Sequence, residues 1–410
     1  MICDKKYFLP LFFLSILYYS CKITEFPLQQ NFPKPVDTST RPTNQQVKKV
    51  YDIGGVKADN TFDGARMNSF SQVNDSTFSV TILPENEPIN KSPHFAFALS
   101  SETSRDIHLQ IDYGEYKHRY YPKLSHDLEN WVPIDSMRFD TLMAGNLARL
   151  RLTIDTRPLY IAAQEIHDSQ HTADWVAALT AKYTDVHSGI AGQSTLDRPI
   201  HYMDISDGPV EDKPGVLILS RTHPPEISGY MAMEAFVERL LEDDQLSNAF
   251  RKKYRVLVYP LINPDGVDLG YWRHNVGGID LNRDWSTFQQ PETKAVARHI
   301  STEVDKHNND IVMGLDFHST QEDVIYTHTP NRQSQIYPFK DLWLESLETA
   351  GYGPNEEAYD LSTPMTKGWF YLAFGAEAII YEVGDETDRK YLKEKARFAA
   401  SEMMKLLVLR

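Results

Sequence analysis

The sequence predicts an α/β domain preceded by a smaller antiparallel β-sandwich. Three observations carry that prediction. Short runs of alternating apolar and polar residues recur between about 50 and 160. From about 170 onward, continuous apolar runs alternate with amphipathic helical stretches. A chain of 410 residues also exceeds what one small core fills.

At the N-terminus, Lys5 and Lys6 precede an apolar run over residues 7–19 that ends at Ser20-Cys21. The run is short for a bilayer span and has the length of a secretory signal core. A small residue followed by Cys after such a run is similar to the lipobox of bacterial lipoproteins, whose Cys becomes the lipidated first residue. The expectation is a leader over 1–21, lipidation at Cys21, and an exported protein of the cell envelope held to a membrane, periplasmic or on the outer membrane. A plain cleaved signal is the alternative. Cys3 would leave with the leader, so the mature chain would have no disulfide.

Residues 22–49 carry Pro27, Pro33, Pro35 and Pro42 without apolar periodicity and read as a flexible tether. The sandwich follows over 50–165. Stretches 77–82, 95–99, 107–111 and 148–154 alternate, with polar turn clusters between them. No titratable cluster with ligand spacing occurs there, which favours a structural or binding module. The α/β domain takes 166–410. A helix over 169–183 puts Trp175, Val176, Leu179 and Tyr183 on one face. Apolar runs at 216–219, 256–262, 311–317 and 378–381 suit strands covered on both faces, with helices at 226–242 and 391–408.

A net charge of −15 argues against nucleic acid as the main partner, because a phosphate backbone needs a basic face.

Each apolar strand leads into residues of catalytic type, where ligands sit in open α/β sheets. The first gives His223-Pro224-Pro225-Glu226, a His and a Glu three apart across a helix entry. Such a pair is able to bind one Zn²⁺, although one such spacing is expected by chance in a chain of this composition. The strand at 311–317 ends on His318, a candidate third ligand. Two His and one Glu leave one tetrahedral position open for water. Arg273 and Arg283 are candidates for gripping carboxylate or carbonyl oxygens, with surface ion pairing as the plain alternative. Glu382 emerges from the last apolar run, in surroundings suited to a general base. Asp385 and Glu386 read as solvated loop charges.

In order and kind, these motifs resemble the zinc carboxypeptidases of the M14 peptidase family, over about 170–410. The resemblance implies a mixed-sheet α/β/α catalytic domain holding one Zn²⁺ on His223, Glu226 and His318. It implies Arg273 as the oxyanion-stabilising residue, Asn282 and Arg283 as the carboxylate-binding pair, and Glu382 as the base. Tyr359 is the nearest candidate for the tyrosine that closes over the substrate. Tyr120-Tyr121-Pro122, with Ser125, Asp127 and Trp131, resembles the N-terminal β-domain of the cytosolic carboxypeptidase branch. In pancreatic-type members a pocket-floor residue lies fifteen places before the base, just ahead of a Trp. Here that position is Lys367, whose ammonium would favour an acidic C-terminal residue, a solvated loop lysine being the alternative.

The implied activity is hydrolysis of the C-terminal bond of peptides or proteins. Two other readings stay open: a cell-wall (murein) peptide amidase or carboxypeptidase, and a lipid-anchored binding protein without catalysis.

Overall fold

The computed structural model describes residues 29–410. The leader expected over 1–21, Cys21 and residues 22–28 lie outside them. Among the described residues no helix is long and apolar enough to cross a membrane.

Residues 50–162 form two sheets, one of six strands and one of five. Alternation decides which side chains face inward. In the Arg105–Asp112 strand, Ile107, Leu109 and Ile111 are buried between exposed or half-buried neighbours. Its partner Leu147–Ile154 buries Ala148, Leu150 and Leu152 opposite those three residues. These rows meet Phe97 and Leu99 from the other sheet, and Phe95 just before its strand, in one core. All pairings are antiparallel except one: Thr77–Thr81 runs parallel to Arg105–Asp112.

An eight-stranded mixed sheet organises the rest. Its centre is four parallel strands, in the order Arg255–Tyr259, Gly215–Ser220, Ile311–Thr320, Glu377–Gly384. The first two are buried at every position, as continuous apolar runs require in a sheet covered on both faces. Antiparallel pairings flank this centre. Helices Ile227–Leu240 and Arg389–Val408 cover one face, and Pro291–His307 and Thr366–Phe374 pack with the core on the other. The central strands share one direction, so their carboxyl ends, and the residues that follow, collect along one edge.

The stretch 29–49 departs from the tether expected over 22–49. It runs as an extended strap against the α/β domain. Phe32 is buried against Gly368. The Lys34 N–H donates to Ser362 O, the Arg41 N–H to Gly277 O, and the Thr38 hydroxyl to the buried carboxylate of Asp284. Its backbone partners come from another part of the chain, which is why the strap has no periodicity of its own.

Candidate active site

His223 and Glu226 occupy the turn between the Gly215–Ser220 strand and the Ile227–Leu240 helix, with Glu226 at the helix N-cap. His318 lies near the end of the adjacent parallel strand. The helix reaches that strand closely because Gly229 has no side chain: a Cβ there would stand 2.2 Å from the His318 carbonyl oxygen. The Gly229 N–H and the Ser228 hydroxyl each bond the Ser319 hydroxyl at 2.8 Å.

This packing brings the three side chains together. His223 Nδ1 lies 2.8 Å from Glu226 Oε1, and His318 Nδ1 lies 2.7 Å from Glu226 Oε2 and 3.2 Å from His223 Nδ1. A carboxylate stands behind each outer nitrogen: His223 Nε2 is hydrogen-bonded with Asp280 Oδ1 at 2.9 Å, and His318 Nε2 is in ion-pair contact with Asp316 Oδ2 at 2.9 Å. A carboxylate behind each imidazole fixes its orientation and raises its basicity, a pattern that recurs at metal sites.

The electrostatics fit a cation. Burial opposes charge on Glu226, yet His223 and His318 outweigh it and hold the carboxyl well below the usual range. Burial likewise opposes charge on His318, but Asp316 and Glu226 hold its proton far above the usual imidazole range. The carboxylates of Glu226, Asp280 and Asp316 draw positive charge to this point, and two imidazole nitrogens and a carboxylate oxygen that converge there are a suitable donor set for Zn²⁺ once the metal displaces the proton.

Among the described residues a second group, His167, His171 and Glu234, also gathers potential ligand atoms within 4.8 Å. There the two imidazoles stack, 3.9 Å between centroids and 22° apart, so their in-plane lone pairs do not converge on one ion.

Glu382 stands beside His318 in parallel register. Burial pushes its carboxyl up to about 8, and its Oε2 has no partner. Arg273 enters from the loop after the Arg255–Tyr259 strand, and its Nε donates to Asp280 Oδ2 at 2.9 Å. A buried carboxylate of the sandwich fixes that loop. Glu85 accepts the backbone N–H groups of Trp272, Arg273 and His274 at 2.8, 3.0 and 2.7 Å. Asn282 accepts from the Thr366 N–H and hydroxyl at 3.0 and 3.1 Å, and Arg283 Nη1 donates to the Asn282 carbonyl at 2.7 Å.

His223, Glu226, His318, Glu382, Arg273, Asn282 and Arg283 line one cavity of about 250 Å³, together with Tyr326, Tyr359 and Met365. Lys367 does not line it. Its Nζ donates to the carbonyls of Thr327 at 2.6 Å and Tyr359 at 3.3 Å, and lies 3.7 Å from the centre of the Tyr359 ring. Burial lowers its pKa to about 7.

Asp385 is not the solvated loop charge expected, whereas Glu386 is exposed in a turn, as expected. Asp385 is buried and accepts from Arg119 at 2.8 Å, while Glu386 accepts from the Tyr121 N–H and from Lys123, each at 3.0 Å. Both fasten the sandwich to the catalytic sheet. Sequence reasoning also passed over Asp280, Asp316 and Glu85. Asp316 had a signal: two residues before His318 on a strand, it shares that residue's face.

A family model described as zinc carboxypeptidase matches residues 172–405. Cytosolic carboxypeptidase 6 of Caenorhabditis elegans is 28% identical over 185 residues, which cover 42% of this chain and 40% of that protein. The chain matches less than half the length of such curated relatives. Among solved structures, a metallo-carboxypeptidase from Burkholderia cenocepacia superposes with a TM-score of 0.72 at 17% identity, covering 86% of this chain and 98% of that one. A metallo-carboxypeptidase from Pseudomonas aeruginosa gives 0.70 at 18%, covering 86% and 100%. The structural likenesses show a shared fold that includes the sandwich.

Proposed function

This chain belongs to the zinc carboxypeptidase family, and from that premise we propose that it is an exopeptidase releasing the C-terminal residue of peptides or proteins. The observation that carries this reading is the convergence of His223, Glu226 and His318 beside Glu382, in one cavity with Arg273, Asn282 and Arg283.

His223 Nδ1, Glu226 and His318 Nδ1 would hold one zinc ion. Bound there, zinc supplies a Lewis acid for the peptide carbonyl and makes water more acidic. Glu382 accepts the proton of the attacking water and passes it to the leaving amine, and a buried carboxyl suits both transfers. Arg273 stabilises the negative charge that develops on the carbonyl oxygen. Asn282 and Arg283 fix the terminal carboxylate, which sets which bond is cut. Tyr359 covers the bound residue.

The test is hydrolysis of a peptide panel by the zinc-loaded chain. Single-residue release from free-acid peptides is expected, with none from the C-terminally amidated forms. A chelator should abolish turnover and added zinc restore it. Equal cleavage of amidated peptides would overturn the exopeptidase reading. Activity confined to muropeptides would replace it with the cell-wall one, and zinc binding without hydrolysis of either would leave a binding protein.

A preference for C-terminal Glu or Asp, selected by Lys367, is the finer part of the proposal. It requires the ammonium to exchange protein carbonyls for a substrate carboxylate. Lys367→Ile should then lower the kcat/KM ratio of Glu over Leu substrates about tenfold or more. The preference should also fade as pH rises through about 7, because burial leaves the amine neutral above that value. A ratio flat with pH and unchanged in the variant discards the selector.

Export and lipid anchoring through Cys21 belong to the same proposal, supported by Lys5, Lys6 and the apolar run before Ser20. Mass spectrometry of the N-terminal peptide from membranes should find an acylated Cys21. A mature chain that begins elsewhere without lipid would refute the anchor.

A further inference from the structure

The sandwich places two side chains, Asn90 and Arg119, on the wall of the cavity that His223, Glu226, His318 and Glu382 line. Arg119 lies between the Arg105–Asp112 and Lys123–Ser125 strands and is held tightly. Its Nε donates to Asp385 Oδ2 at 2.8 Å and its Nη1 to the Ser92 hydroxyl at 2.6 Å. The guanidinium lies 4.9 Å from the centre of the Tyr120 ring. The next residues are pinned by Glu386, so the arginine has little freedom to swing away. Its Nη2 is buried without a partner. A buried guanidinium N–H lacking an acceptor is unfavourable until one is supplied.

The position of Arg119 says which part of a substrate would supply it. Asn282 is tied to Thr366, at the start of the Thr366–Phe374 helix. Arg119 is tied instead to Asp385, beyond the end of the strand that carries Glu382. A peptide whose terminal carboxylate rests on Asn282 and Arg283, with its last carbonyl beside the metal ligands, runs its preceding residue along the wall built by the sandwich.

We propose that Arg119 is a specificity-determining residue, which binds a carboxylate side chain on the residue preceding the scissile bond. The proposal rests on the carboxypeptidase reading. A carboxylate gives the free N–H a charge-assisted bond, whereas an apolar side chain leaves it unsatisfied.

The experiment uses the zinc-loaded chain and peptides with one fixed last residue and Glu, Gln or Ala before it. The readout is the kcat/KM ratio of Glu over Gln, not the absolute rate, because loosening of the domain contact would lower both alike. Wild type should favour Glu about tenfold or more. Arg119→Gln should bring the ratio near one, and Arg119→Lys, which keeps the charge and a partner for Asp385, should restore part of it. Arg119→Gln combined with Asp385→Asn removes both halves of the ion pair and should stay near one. A wild-type ratio near one, or a ratio that Arg119→Gln leaves unchanged, overturns the proposal. If no peptide is cleaved, the carboxypeptidase reading fails separately. The Kd ratio of the same peptides, measured by calorimetry on the zinc-loaded chain, then decides on Arg119 by the same criteria.

Discussion

Glu382→Gln is expected to cut kcat by about 10²–10⁴-fold, the usual worth of a positioned proton-transfer group, while leaving zinc content unchanged. The substitution is nearly isosteric and keeps the register with His318. It removes the one property the reaction needs there, an oxygen that takes and returns a proton. Glu382 is not part of the His223–Glu226–His318 contact set, so the metal should stay. Elemental analysis of the dialysed variant beside its kcat separates the two effects. Zinc lost in step with activity would move Glu382 from base to ligand, and full activity would remove it from the mechanism.

Gly229→Ala is expected to weaken zinc binding about tenfold or more, although residue 229 touches no metal ligand atom. Alanine improves helix propensity by about 1 kcal/mol. Against this, the new methyl would stand 2.2 Å from the oxygen and 2.5 Å from the carbon of the His318 carbonyl, and a backbone cannot turn aside as a side chain does. The helix and the strand must part, at a cost of about 1–3 kcal/mol. Glu226 rides on that helix and His318 on that strand, so the parting opens the ligand set. A zinc competition titration and a thermal melt check both consequences. Unchanged zinc affinity would mean that the helix slides without carrying Glu226.

What the chain reveals before folding is uneven, for physical reasons. The four central strands read clearly because burial on both faces demands unbroken apolar runs. Strand ends collect on one edge, so His223, His318 and Glu382 could be placed near one another from their positions after those runs. The strap at 29–49 could not be read, since its hydrogen bonds are borrowed from Ser362, Gly277 and Asp284. Glu85, Arg119 and Asp385 were equally hidden. Each acts across the domain boundary, over 187 residues for Glu85 to Trp272 and 266 for Arg119 to Asp385, and no local periodicity records such a partner. Lys367 was legible as a position but not as an environment: counting places from Glu382 finds it, while the carbonyls that occupy its ammonium appear only in three dimensions.

The grip of Glu85 on three consecutive amides has a consequence for when the enzyme becomes active. A catalytic half that has folded ahead of its sandwich would leave the Trp272–His274 amides without that acceptor, and Arg273 on an unanchored loop. Competence would therefore arrive only with the last domain to dock. A nascent or partly unfolded chain would be harmless to its neighbours, its own incomplete assembly serving as the safety catch.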